Sequence, residues 1–297
     1  MSVPSHFAAL RRQGLSSVLA TGQQPSRVQR KGRYTAESMR HPGKMLPAIA
    51  ACVIEAFTSP GELVIDPMCG IGTTLVEAIH LGRDAAGMEY EASWVELAAG
   101  NVLLAQRQGA TGPAKLTIGD ARNIATAYAP LCGKAALVLT SPPYGPRTHG
   151  HVRSGTRDGS GRVEKWNHRY STDRGNLAHQ GLDELLEGFA RILASSAELL
   201  RPRGMVAVTV RPIRVKGELI DLPGLVADSA HQAGLVLTGR LAALLCGLRD
   251  GELVNRASFF QMLETRRARE RGIPACATAH EDLLLFMPAR DLNEDHR

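Results

Sequence analysis

The chain has 297 residues, of which 44% are hydrophobic, 22% charged and only 4% aromatic, enough for one large domain or two small ones around a mostly aliphatic core and too apolar for general disorder. Its formal charge is +6 with a pI near 9.3, carried unevenly, which suits a polyanionic partner. No apolar run reaches the ~18 residues of a membrane span, the first residues lack the long apolar stretch of a signal peptide, and the five cysteines (Cys52, Cys69, Cys132, Cys246, Cys276) form no CxxC pair, so we expect a cytoplasmic protein with reduced thiols and no metal site.

Residues 1–33 are polar and weakly periodic and read as a flexible basic arm; residues 1–44 carry eight Arg/Lys against the single acid Glu37. From "HPGKMLPAIAACVIEAF" the pattern turns helical, with Leu46, Ile49, Ala50, Val53, Ile54 and Phe57 on one face. "GELVIDPMCGIGTTLVEAIHLG" then reads as strand, glycine turn and helix, and "DAAGMEYEASWVELAAGNVLLAQ" repeats that unit. "AKLTIGDARNI" and "KAALVLTSPPY" supply two more strands. The stretch 145–180 breaks the alternation and carries seven Arg/Lys, three acids and four histidines, the place to look for substrate contacts. After it come the amphipathic helix "LDELLEGFARILASSAELL", the strand "GMVAVTV", a helix at 222–233, the strand "LVLTGRLAALL", a helix around 257–272 and the strand "DLLLFMP". This alternation predicts an α/β fold: a doubly wound, mostly parallel sheet with helices on both faces. The expected organisation is an arm at 1–33, one domain at 34–290 with a basic insertion at 145–180, and a polar tail at 291–297.

The chemistry concentrates at the strand ends. In "DPMCGIGTT" Gly70 and Gly72 follow a strand and open a helix, so a ligand can approach the backbone and the free N–H groups of the helix start. The GxxxxGK(S/T) phosphate cradle is absent, and Leu75 replaces the third glycine of GxGxxG, which argues against an ATPase and against ordinary dinucleotide binding. Asp66, Glu89 and Asp120 end three successive strands; Glu89 is placed for ribose hydroxyls and Asp120 for the amine of an adenine ring. "TSPPY" follows the fourth strand. Its two prolines cannot donate to the sheet, which leaves the carbonyls of Ser141 and Pro142 and the Ser141 hydroxyl to a substrate amine, with Tyr144 able to stack on a base. The alternative reading of the same segment is a rigid turn with Tyr144 as a lid over the core. Cys69, without a base beside it, reads as a small packing residue.

Together "DPMCGIGTT", Glu89, the "GD" at 119–120 and "TSPPY" resemble the ordered motifs of S-adenosylmethionine-dependent amino-methyltransferases, most closely the DNA N4-cytosine/N6-adenine group. The family's helix before the glycine turn resembles "HPGKMLPAIA" and its last strand resembles "HEDLLLF", so the resemblance spans about residues 33 to 290. It implies a Rossmann-like methyltransferase fold with a seven-stranded sheet and S-adenosylmethionine as cofactor. It implies cofactor contacts at Asp66, Pro67, Cys69, Gly70, Gly72, Thr73, Thr74, Glu89, Asp120 and Ala121, and a catalytic segment at Ser141, Pro142, Pro143 and Tyr144. Arg147, His149, His151, Arg153 and Lys165 are the candidate contacts to nucleic acid, expected to be double-stranded DNA. Ser at position 141 points to cytosine N4 over adenine N6, while the tRNA guanine-N2 enzymes, which share the glycine turn and a Pro-Pro-Tyr segment, supply the alternative of RNA.

Overall fold

A computed structural model describes residues 16–143, 151–154, 163–166, 176–177, 180–215, 218–257 and 259–292 of the chain. In chain order these form β1 (Val18–Leu19), α1 (Ser26–Arg30), α2 (Pro47–Phe57), β2 (Leu63–Asp66), α3 (Thr73–His80), β3 (Asp84–Glu89), α4 (Ala92–Arg107), β4 (Ala114–Ile118), α5 (Ile124–Ala127) and β5 (Ala135–Thr140). There follow β6 (His151–Ser154), β7 (Val163–Trp166), α6 (Leu182–Ala197), β8 (Leu200–Val210), β9 (Ile213–Val215), β10 (Glu218–Ile220), α7 (Leu222–Gln232), β11 (Leu235–Leu244), β12 (Gly247–Arg249), β13 (Glu252–Val254), α8 (Phe259–Glu270), β14 (His280–Pro288) and α9 (Ala289–Leu292).

Eight strands make one sheet in the order β1-β11-β14-β8-β5-β2-β3-β4. β2 pairs in parallel with β3 on one side and β5 on the other, and the chain runs outward from this pair in both directions, which creates the switch-point crevice where such sheets take ligands. Only β14 runs against its neighbours β8 and β11. The period of two along each strand divides the core. Val64, Leu137, Leu139, Ala207, Leu283 and Leu285 face α2, α3 and α4, while Ile65, Val138, Val206, Val208, Leu284 and Phe286 face α5, α6 and α7. The doubly wound α/β architecture expected from the sequence is therefore present, with an eighth strand at the edge.

That eighth strand corrects the expected flexible arm. From residue 16 the arm is packed: β1 lies parallel on β11, with Val18 opposite Ala242 and Leu19 opposite Ala243. Farther along, Arg30 is 2% exposed, donates to the Met45 carbonyl at 2.5 Å and stands 4.6 Å over the Tyr34 ring. The cause lies in α3, whose residues Thr73 to Ile79 are all buried, including Glu77. A buried carboxylate must be paired. Arg33 supplies a two-pronged pair at 2.8 and 2.5 Å, and the Tyr34 hydroxyl donates at 2.6 Å. Segment 30–34 is thus the counter-charge of the helix that opens at the glycine turn.

Candidate active site

All four predicted site segments leave the sheet at its carboxyl edge, since β2, β3, β4 and β5 are mutually parallel. Behind them the glycine turn is a rigid object. Gly70 and Gly72 adopt φ of 52° and 77°, values that a side chain would strain, and a Cβ on Gly70 would also lie 3.0 Å from the His41 ring. His41 itself is buried edge-on against Trp94, with ring centroids 4.7 Å apart. Asn101, fully buried on α4, donates to the Ile71 carbonyl at 2.8 Å and accepts from the Thr35 amide and from the Thr35 and Ser38 hydroxyls, which bolts the turn to α4 and to residues 35–38.

Asp66 is buried at the end of β2. It accepts from the Met68 amide at 3.1 Å and from the Thr74 hydroxyl at 2.7 Å, and burial pushes its carboxyl up to about 6. Glu89, at the end of β3, accepts from the amides of Gly70 at 2.9 Å and Glu91 at 3.0 Å; burial raises it to about 7. Glu89 therefore couples the second strand end directly to the glycine turn. Asp120 behaves differently. It caps the short turn Ala121–Asn123 through the Arg122 amide at 3.0 Å, and the Arg122 guanidinium pairs with it at 2.5 Å and holds its carboxyl below the usual range.

A cleft of about 570 Å³, solvent at its mouth included, opens over these strand ends. It brings together Pro67, Glu89, Asp120, Ala121, Ser141 and Pro143 from the predicted set. Asp66, Cys69, Gly70, Gly72, Thr73, Thr74 and Pro142 lie outside its lining: Asp66 and Thr74 bond to each other below, and Thr73 takes a 3.3 Å bond from Arg30. Cys69 is buried, its thiol pushed well up by burial, and its Cβ would stand 3.0 Å from one placed on Gly87, which agrees with packing and not with reactivity. Tyr144, Arg147 and His149 lie outside the described residues. His151, Arg153 and Lys165 sit on the hairpin β6–β7, where His151 pairs with Trp166 and Val152 with Lys165.

The cleft also has walls that the sequence reading missed: Met68, Tyr90, Gly119, Arg122, Asn176, Leu177 and Ile192. Asn176, near the end of the 145–180 insertion, returns the chain to the site and donates to Glu91 at 3.0 Å, two residues beyond Glu89. Two acids, the apolar Met68, Leu177 and Ile192, and one cation already paired to Asp120 make a lining that fits a nucleoside carrying positive charge.

Known proteins share parts of this sequence and its fold. Residues 13–100 match the N6/N4 methyltransferase family model, described as DNA methylase. The tRNA (guanine(10)-N2)-dimethyltransferase of Methanothermobacter thermautotrophicus is 31% identical over 106 residues, 35% of this chain and 29% of that protein. The Methanocaldococcus jannaschii enzyme of the same name is 31% identical over 111 residues, 36% of this chain and 31% of that protein. The chain thus spans less than a third of the length of these curated relatives. Among solved structures, TrmN from Thermus thermophilus superposes with a TM-score of 0.50 at 15% identity, covering 88% of this chain and 53% of that one. Among the described residues no helix is long and apolar enough to cross a membrane. The chain shares with TrmN a Rossmann-like, doubly wound α/β fold, and residues 13–100 resemble the N6/N4 methyltransferase family.

Proposed function

We propose that the protein methylates an exocyclic amino group of a nucleic-acid base, with cytosine N4 in DNA as the first target. The observation that carries the reading is the convergence of Glu89, Asp120, Ser141 and Pro143 on one cleft. When bound, S-adenosylmethionine supplies an electrophilic methyl group on a sulfonium sulfur, which becomes a neutral thioether as the amine nitrogen takes the methyl.

The residues divide the work. Glu89 accepts from ribose hydroxyls, and Asp120 with Ala121 edges the adenine. Asp66, buried beneath the cleft, favours positive charge above it. The Ser141 hydroxyl and the carbonyls of Ser141 and Pro142 accept the two amine hydrogens, which orients the nitrogen lone pair toward the methyl group. Their dipoles also stabilise the positive charge that grows on nitrogen, so catalysis is mostly positioning and fixed electrostatics. The proton shed by nitrogen leaves through the open cleft to solvent. Tyr144 is assigned the stacking role on the target base, and the cationic 145–180 insertion the phosphates.

A second reading, methylation of a guanine N2 in RNA, is favoured by the two archaeal relatives and by the Pro-Pro-Tyr segment. Methyl incorporation from labelled cofactor into genomic DNA and total RNA in parallel separates the two. N4-methylcytosine in DNA supports the first reading, N6-methyladenine retains DNA with the other base, and label confined to RNA replaces the first reading with the second.

A further inference from the structure

The segment joining β11 to β14 has no part in the cleft, yet it stands on the same edge of the sheet. β11 and β8 both run against β14, and β8 is parallel to β5, so Leu244 ends at the edge where Ser141 begins. In the strand order β11 is three places from β5, a lateral distance of about 14 Å at ~4.8 Å per strand. From Leu244 the chain enters the hairpin β12–β13, closed by Asp250 and Gly251 at φ of 51° and 80°, a tight two-residue turn.

The hairpin is rigid at its base and apolar at its tip. Arg256 donates to the carbonyls of Gly22 at 2.9 Å and Gln23 at 2.8 Å, and the Thr21 hydroxyl donates to Leu244 at 2.7 Å, so the arm clamps its root. Leu248 and Leu253 pair directly across the strands, hence on one face, and are 48% and 61% exposed. A cross-strand leucine pair held out into water on a fixed support has no role in this chain's own core. Immediately after it, α8 bears exposed Arg266, Arg267 and Arg269, with Arg271 just beyond its end.

We infer that the β12–β13 hairpin is an apolar wedge that enters the base stack of a nucleic-acid duplex beside the nucleotide drawn into the cleft. The inference rests on the amino-methylation reading and adds to it the means of extraction. Taking a base out of a duplex breaks stacking on both its sides, and proteins that kink or open duplexes insert leucine-like side chains into the gap. The leucine pair supplies that surface, the arginines of α8 supply charge for the flanking phosphates, and the strand that leads into the hairpin lies about 14 Å laterally from the strand that leads to Ser141, of the order of the ~12 Å width of a major groove.

The test is Leu248→Ala combined with Leu253→Ala, assayed with labelled cofactor on genomic DNA and on bulk tRNA, each native and heat-denatured. On whichever nucleic acid the wild type labels, the variant is expected to lose about tenfold or more of its rate on the native form and to stay within about twofold on the denatured form, the scale set by the lost stacking. Cofactor affinity and melting temperature remain at wild-type values, and Leu248→Met with Leu253→Met retains the native rate. Equal loss on native and denatured substrate, or no loss on either, overturns the wedge. A variant that keeps its native rate but changes oligomeric state reassigns the leucine pair to a protein interface. A wild type that labels no nucleic acid in any form overturns the amino-methylation reading itself.

Discussion

The floor of the cleft and its mouth use the same kind of residue in opposite ways. Asp66 and Glu89, at the floor, are buried, bonded to amides and a hydroxyl, and raised to about 6 and about 7. Asp120, at the mouth, is partly exposed, paired to Arg122 and lowered. Each ends a parallel strand, and sequence position alone makes them equivalent. The difference teaches that the floor stores unfavourable negative charge that positive charge or hydroxyl donors on a ligand relieve, whereas the mouth is already neutralised and mainly fixes geometry.

The support behind the floor should break most visibly. Glu77→Ala leaves the guanidinium of Arg33 and the Tyr34 hydroxyl without their partner, and removing one side of a buried pair costs about 3–5 kcal/mol. Urea unfolding measures it; a loss under about 1 kcal/mol would mean that segment 30–34 does not hold α3 in place.

Next in size is the effect of Glu89→Gln, which separates stability from binding. A carboxyl raised from its ordinary 4.5 to about 7 binds protons more tightly in the folded state. Its stabilising share is complete below about 4.5 and is lost as pH rises through about 7, on the order of 3 kcal/mol in all. Asp66 adds the same sign over about 4 to 6. The ligand-free wild type should therefore melt lower at pH 8 than at pH 5.5, and Glu89→Gln should flatten that slope while weakening cofactor binding about tenfold. Melting curves across that range, with calorimetric titration of the cofactor, read both. An unchanged slope would remove Glu89 from its role as stored charge.

The smallest expected effect is at the mouth. Asp120→Asn loses the ionic half of its bond to Arg122 but keeps an oxygen to cap the turn at 121–123, so about 1 kcal/mol or less of stability is at stake. Its sign with pH is opposite to that of Glu89, since a lowered carboxyl contributes above its ordinary range and loses that contribution as pH falls. Cofactor affinity should fall only severalfold. A loss as large as that of Glu89→Gln would erase the distinction between floor and mouth.

Much of the sheet and the glycine turn was legible because the signals are local. "LVIDPMCGIGTT" combines a buried run, two glycines and a helix start within twelve residues, and Asp66, Glu89 and Asp120 stand at the ends of strands that hydrophobicity alone locates. What escaped depends on distant partners. β1 is two residues long and exists only through β11, more than 220 residues away. Arg30 reads as a solvated arm residue until Thr73 and the Met45 carbonyl are brought to it. Arg122, Asn176 and Ile192 line the cleft because the sheet gathers three unrelated segments. The Asp250–Gly251 turn was the exception, a local hairpin signal that was present and passed over inside a stretch read as one strand followed by a helix.

In the proposed reaction the cofactor and the target amine occupy different parts of one cleft, with Ser141 on the amine. The most direct measurement is methyl incorporation into nucleic acid by Ser141→Ala, beside calorimetric binding of S-adenosylmethionine to the same variant. Turnover should fall by about 10²-fold, the scale of one lost transition-state hydrogen bond in a preorganised site, while cofactor affinity stays within about twofold of wild type. Loss of cofactor affinity in step with turnover would contradict the account and move Ser141 into the cofactor pocket.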